Sequence, residues 1–213
     1  MFQRIFVSII PVLFAITMHE VAHGWAARYF GDHTAARLGR LSLNPIKHID
    51  LIGTVIVPAA LLLMQASFIF GWAKPVPVSM ENLRNPKRDM ALVSAAGPGA
   101  NLLMAFFWGA VLKISLLFPE ASTSFVLAAK YMGFVGIFIN ILLFAFNLLP
   151  LPPLDGGRVA IGLLPDKLGW YLSRVEPYGF FILIGLMLTG VLWVIITPLW
   201  IGSMYILRLV LGL

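Results

Sequence analysis

The sequence predicts an all-α polytopic membrane protein, a helix bundle of about four to six membrane segments. Of 213 residues, 60% are hydrophobic and only 11% charged, and the mean hydropathy of +0.94 lies well beyond that of an ordinary soluble domain. The apolar residues gather in five stretches, 2–30, 51–72, 90–118, 125–149 and 178–213, each near or above the ~20 residues that span a bilayer. The connections between them are short, so the chain reads as one membrane-embedded domain over 1–213.

In the first stretch, residues 5–17 behind Arg4 resemble the apolar core of a signal peptide. No small-residue cleavage site follows, and a retained span is expected. The second, 51–72, contains Pro58 as a candidate bend. In the third, Gly97, Pro98, Gly99 and Asn101 form a small, kinked patch that tight helix packing accounts for. The fourth carries Asn140 and Asn147, seven apart and on one helical face. The last is expected to break at Thr197-Pro198, because proline forfeits a helix hydrogen bond. Among the connections, 73–78 reads "AKPVPV"; prolines alternating with valines predict a short membrane-associated β element rather than a helix. The connection at 150–177 opens with "PLPPLDGGR", which must end the preceding helix.

The absence of cysteine excludes disulfides, thiol catalysis and a cysteine-ligated metal. The net charge of +6 belongs, in so apolar a chain, to cytoplasmic loops, and no nucleic-acid partner is expected.

Polar chemistry enters at "ITMHEVAHG", residues 16–24. On a helix, positions four apart differ by roughly 40° in azimuth, so His19 and His23 project from one face and can grip a single ion. Glu20 lies beside them, able to take a proton from an attacking water without being a ligand. A catalytic zinc takes three protein ligands and keeps one position open, so the pair is one ligand short. Asp155 follows an apolar helix, where prolines and glycines can hold an acid in a fixed bend, and is the best third ligand; capping the segment that follows is the competing reading. His33 and His48 are alternative ligands in a charged loop that suits surface groups.

"HEVAH" early, "AAGPGAN" in a middle span and "NLLPLPPLDGG" late, in that order, resemble the site-2 protease family of intramembrane zinc metalloproteases. The runs "GDHTAARLGRLSLNPIKHIDLIGT" and "FGWAKPVPV" are similar to its compact bacterial branch, and the resemblance extends over about residues 14–159. It implies one Zn2+ held by His19, His23 and Asp155, with Glu20 as catalytic base and Asn147 near the substrate or transition state. It also implies a place in the bacterial cytoplasmic membrane and a membrane-protein substrate with a transmembrane helix. The PDZ and CBS modules of some members have no room here, so regulation is left to partner chains.

The three ligands must meet at one depth in the lipid bilayer. If 51–72 crossed completely, Asp155 would emerge on the side opposite the histidines, separated by much of the ~30 Å core. If 51–72 enters and returns, Asp155 arrives beside them, and re-entrant backbone is permitted where protein or water covers it. Residues 28–89 hold eight Lys or Arg (28, 37, 40, 47, 74, 84, 87, 88) and 150–177 hold three (158, 167, 174), whereas 119–124 hold none. That side is then cytoplasmic, with the active site towards it and the N-terminus outside, against the dissent of Arg4, Lys113 and Lys130.

Asn140, Asn147 and Asn101 are candidates for a wet, substrate-facing cavity; Asn147 could donate to the oxyanion of an attacked carbonyl, and interhelical hydrogen bonding is the alternative for each. Lys74, Pro75 and Val76 lie on the ribbon that could hold an unwound substrate by strand addition. The sequence thus supports a zinc endopeptidase cutting within or near transmembrane segments, in regulated proteolysis or remnant clearance. A metal-transporting protein or an inactive homologue is the alternative. Glu20 separates them, because neither alternative needs an acid beside two ligands.

Overall fold

The computed structural model describes residues 2–66, 70–118 and 124–213. Its α-helices are α1 (Phe2–Tyr29), α2 (Thr34–Arg37), α3 (Val57–Leu63), α4 (Pro86–Leu116), α5 (Ser124–Asn147), α6 (Asp155–Leu163), α7 (Asp166–Ser173), α8 (Glu176–Leu188) and α9 (Val191–Leu211). Four are long and apolar enough to cross a membrane: α1 over Val7–Tyr29, α4, α5 and α9. Taken together, α7 and α8, bent by 65°, would make a fifth. The all-α polytopic architecture expected from the sequence is the one observed.

Helix α4 is the centre of the bundle. Pro86 opens it in the first turn, where the missing N–H costs nothing, and Asp89 reaches back to accept from the Asn85 N–H at 2.8 Å. Trp108 and Leu112 of α4 pack with Ile137 and Ile141 of α5 and Leu207 of α9. A Cβ on Gly136 would sit 2.1 Å from the Trp108 ring, so only glycine lets α5 approach. The outward faces are apolar, with Leu103, Phe125 and Phe134 exposed, while Asn101 and Asn140 are fully buried. A bilayer would cover such a surface.

Residues 31–84 leave and return at the same end of α1. The Arg84 N–H donates to the Phe30 carbonyl at 3.1 Å. Within this excursion a π-helical stretch, Leu51–Ile56, runs into α3. The two cover 13 residues, or about 20 Å at 1.5 Å each, short of a ~30 Å core. The chain then comes back: the Trp72 N–H donates to Gly53 O (3.1 Å) and Thr54 Oγ1 to Trp72 O (2.8 Å). The bend is not at Pro58, which sits harmlessly in the first turn of α3, but after it, where Gln65 has φ 51°. Residues 67–69 lie outside the described residues, as do the loop at 119–123, which has no Lys or Arg, and the Arg4 side chain.

The β element expected over 73–78 is not formed among the described residues. The segment is extended, but Pro75 and Pro77 have no N–H, and the Lys74 and Val76 N–H groups and the Lys74 and Pro75 carbonyls pair with side chains and loops instead of a strand. The Lys74 N–H donates to His48 O (2.9 Å), Arg40 Nη2 holds the Lys74 and Pro75 carbonyls (2.9 and 3.2 Å), and the Ser79 N–H donates to Asp32 Oδ2 (2.7 Å). Asp32, fully buried, also accepts from the Thr34 N–H and hydroxyl and from Asn82 Nδ2. Burial works to raise its carboxyl, but these hydrogen bonds outweigh it and hold the group below its ordinary value.

The C-terminal stretch is two helices, but Pro198 does not divide them; it lies inside α9. The break falls at Gly190, whose φ of 74° is the left-handed turn that stops α8. Lys113 Nζ donates to Leu211 O, so Arg208 near the end of α9 lies at the same end of the bundle as Lys113, adding to the basic residues opposite the loop side.

Candidate metal centre

The centre begins with the register between α1 and α4. The two run antiparallel, and the stripe Val93, Gly97, Asn101, spaced by four, faces the stripe His19, His23. His19 Nδ1 lies 2.6 Å from Asn101 Oδ1 and His23 Nδ1 lies 2.8 Å from Val93 O. Both partners are acceptors, so each Nδ1 carries the proton and each Nε2 is left with a lone pair. Between the two contacts there is room only for glycine. A Cβ at Gly97 would stand 2.4 Å from His23 Nε2 and 2.7 Å from His19 Cε1.

Asp155 completes the cluster from α6. The breaker loop after α5 is folded tightly against that helix: a Cβ on Gly156 would meet the Leu148 carbonyl at 2.4 Å, and one on Gly157 the Pro152 nitrogen at 2.2 Å. This explains the paired glycines of "LDGG". Asp155 is the first residue of α6; Leu154 holds the capping position and no side chain caps the helix. The carboxylate is turned to the histidines instead, Oδ2 lying 3.1 Å from His19 Nε2 and 3.3 Å from His23 Nε2.

The two Nε2 atoms are themselves 3.0 Å apart. Two imidazole lone pairs and a carboxylate oxygen thus converge with no proton to share, and Asp155 Oδ2 is buried without a hydrogen bond. Such an arrangement is repulsive unless a cation joins it. A tetrahedral ion with bonds of about 2.0–2.1 Å places its ligand atoms about 3.3 Å apart, close to the separations observed. The residues present fit zinc, with His19, His23 and Asp155 as the group of metal-capable side chains.

Neither His33 nor His48 belongs to that group. His48 is not a surface group either; it is 1% exposed, with Nε2 2.8 Å from Ser42 O. Glu20 is half-buried, its Oε2 accepting the Val76 N–H at 2.7 Å. Val76 is buried and Lys74 and Pro75 are exposed. Asn147 donates to Leu143 O of its own helix at 3.0 Å. Asn101 and Asn140 line no cavity: both are 0% exposed and bonded to each other at 2.9 Å. The metal-side role of Gly97 and the Asp32 hub were missed. A four-residue stripe 93, 97, 101 opposite the histidines was the available signal for the first; nothing marked the second.

Membrane-length helices around a His, His, Asp cluster with a glutamate beside it in sequence define a polytopic membrane protein of metallopeptidase type. The chain belongs to peptidase family M50, the site-2 protease family. The description "Peptidase family M50" matches residues 114–189, which include Asn147 and Asp155. "Putative zinc metalloprotease YwhC" of Bacillus subtilis is 39% identical over 190 residues, 87% of this chain and 83% of that one. "Putative zinc metalloprotease Rip2" of Mycolicibacterium smegmatis is 29% identical over 183 residues, 84% of this chain and 66% of that one. A Methanocaldococcus jannaschii relative, "Putative zinc metalloprotease MJ0611", is 28% identical over 155 residues, covering 72% and 68%. No solved structure matches.

Proposed function

We propose that the protein is a zinc endopeptidase that hydrolyses peptide bonds within or near transmembrane segments of other membrane proteins. It works as a single domain over 1–213 in the bacterial cytoplasmic membrane, its site towards the cytoplasm and 51–72 re-entrant from that side. The observation that carries the reading is the convergence of His19 Nε2, His23 Nε2 and Asp155 Oδ2, with both Nδ1 protons committed elsewhere.

Bound there, zinc supplies a Lewis acid that polarises the scissile carbonyl and acidifies the attacking water. Glu20 takes the proton from that water and returns it to the leaving amine, which makes it base and then acid in one turnover. The Val76 N–H holds one carboxylate oxygen and so fixes the direction of the side chain. Asn147 keeps one amide hydrogen beyond its bond to Leu143, and that hydrogen serves the oxyanion. The ribbon of Lys74, Pro75 and Val76 lies against the base and guides the unwound substrate past it. Because the carbonyls at 74 and 75 are held by Arg40 and the N–H groups at 74 and 76 by His48 O and Glu20, strand pairing with substrate falls to the Val76 carbonyl and the residues that follow.

The test is purified protein with a panel of model transmembrane substrates, against Glu20→Gln, Asp155→Ala and chelator. Wild type should cleave, Glu20→Gln should bind zinc and fail to cleave, and Asp155→Ala should lose zinc. Equal cleavage by wild type and Glu20→Gln would refute the mechanism. Zinc binding with no cleavage by wild type would identify an inactive homologue.

A further inference from the structure

We propose that Asn101 and Asn140 are positioning residues that select the tautomer of His19 and thereby keep its Nε2 available to the metal. The inference rests on the metal-site reading above and goes beyond it, because neither asparagine is among the metal-capable side chains.

The argument is one of hydrogen-bond polarity. An imidazole that presents Nε2 to a cation must keep its proton on Nδ1, and the group facing Nδ1 decides whether it does. For His23 that group is the Val93 main-chain carbonyl, which can only accept. For His19 it is a carboxamide, which is ambiguous. Asn101 turned by 180° would offer Nδ2 to Nδ1, force the proton onto Nε2 and leave the cluster with N–H pointed at its own ion. Something must forbid that turn.

Asn101 Nδ2 donates both hydrogens, to Ala15 O at 3.1 Å and to Asn140 Oδ1 at 2.9 Å. Ala15 O is a main-chain acceptor, so the turned amide would set two oxygens against each other. Asn140 is likewise a carboxamide, and its own direction is fixed by Nδ2 donating to Gly136 O at 2.8 Å, again acceptor-only. A chain of aligned donors therefore runs from α5 through α4 to α1. Gly136 O accepts from Asn140, Asn140 Oδ1 accepts from Asn101, and Asn101 Oδ1 accepts from His19 Nδ1–H. Two backbone carbonyls set the polarity of the whole series, as the network must at any amide. Asn101, Asn140 and Ala15 are all 0% exposed, so no water can satisfy a turned amide in their place.

The experiment uses the full chain in detergent: wild type, Asn101→Leu, Asn140→Leu and the double variant. Zinc affinity is read by competition with a chromophoric chelator, and imidazole protonation by 15N NMR of the metal-free protein. Asn101→Leu should weaken zinc by 10–100-fold, the range for losing an outer hydrogen bond to a metal-binding histidine. Asn140→Leu should weaken it less, and the double variant should match Asn101→Leu alone, since Asn140 acts only through Asn101. In the spectra the His19 proton should move from Nδ1 to Nε2 in Asn101→Leu, with His23 unchanged, a signature that lost packing would not produce. Zinc binding by folded Asn101→Leu within about twofold of wild type, additive losses in the double variant, or an unmoved His19 proton would each overturn the proposal. If Asn101→Leu does not fold, Asn140→Leu decides alone. It leaves every contact of His19 in place and Ala15 O still holds Asn101, so weaker zinc binding with a partial gain of Nε2–H at His19 supports the relay, and zinc affinity and spectrum both unchanged refute it. Wild type that binds no zinc would refute the metal site itself, a separate result from an indifferent Asn101→Leu.

Discussion

Replacing Gly97 by alanine adds one methyl group to the most confined point of the metal centre. Its Cβ would lie 2.4 Å from His23 Nε2, 2.5 Å from His23 Cε1 and 2.7 Å from His19 Cε1. Ordinary contact begins near 3.5 Å, so the rings must yield by about 1 Å and about 0.8 Å respectively. They cannot swing freely, because both Nδ1 atoms are tied to acceptors on the same helix that carries the methyl. Metal bonds tolerate about 0.2 Å, so a 1 Å error at one ligand atom breaks the set. Overpacking costs about 1–3 kcal/mol and alanine's better helix propensity returns about 1, so the fold loses only about 0–2 kcal/mol. Zinc affinity should fall by more than the roughly 100-fold expected for losing an outer hydrogen bond. The control is Gly99→Ala two residues on, where a Cβ meets nothing within 4 Å. That variant should bind zinc normally and melt at the same temperature or higher. Chelator competition and thermal unfolding on the two purified variants read both quantities. If Gly97→Ala bound zinc as wild type does, or if the two variants behaved alike, the reasoning from close approach would be wrong.

Asp32→Asn removes the charge from four hydrogen bonds and should cost about 1.5–3 kcal/mol in thermal or denaturant unfolding. Because the folded-state carboxyl is held below its ordinary value, its stabilisation is present above the unfolded value of about 3.9 and lost as pH falls through the folded one. The gap in melting temperature between wild type and Asp32→Asn should therefore narrow when unfolding is repeated below about pH 4; a constant gap would count against it. Val76→Pro deletes the N–H that holds Glu20 and should lower kcat while zinc content stays at one per chain; undiminished turnover would show that the contact is idle. The chain has no cysteine, so single cysteines report cleanly. One at position 84 should react only from the cytoplasmic side and one at 122 only from outside, and the reverse would invert the topology.

The helices were legible because a bilayer demands long apolar runs, and the stretches at 90–118 and 125–149 carry little else. The histidine pair was legible because helical spacing maps directly onto one face; Asp155 was only half so, since an acid among breakers can as well cap the next helix, and the resemblance rather than the spacing favoured it as ligand. Three features were not. Pro198 reads as a stop, yet the packed helix absorbs it, while Gly190 supplies the left-handed residue that ends α8. The prolines at 75 and 77 correctly indicate extended backbone, but extension does not say whether a partner strand exists, and here side chains of Asp32, Arg40 and Glu20 take its place. Polar groups in a span need company, which makes Asn101 and Asn140 candidates for a wet cavity; the sequence cannot show that they keep each other's.

Two of the contacts that prepare this site are made by main chain: the Val93 carbonyl on His23 and the Val76 N–H on Glu20. Alanine at either position would trim two methyl groups and leave the contact untouched. An alanine scan would therefore score both residues by their packing alone, and selection acting on side chains could vary them freely within that limit. The positions at which the reaction depends on the polypeptide backbone are invisible to the commonest genetic test. Proline at 76, or an ester in place of the amide there, is the kind of change that would expose one of them.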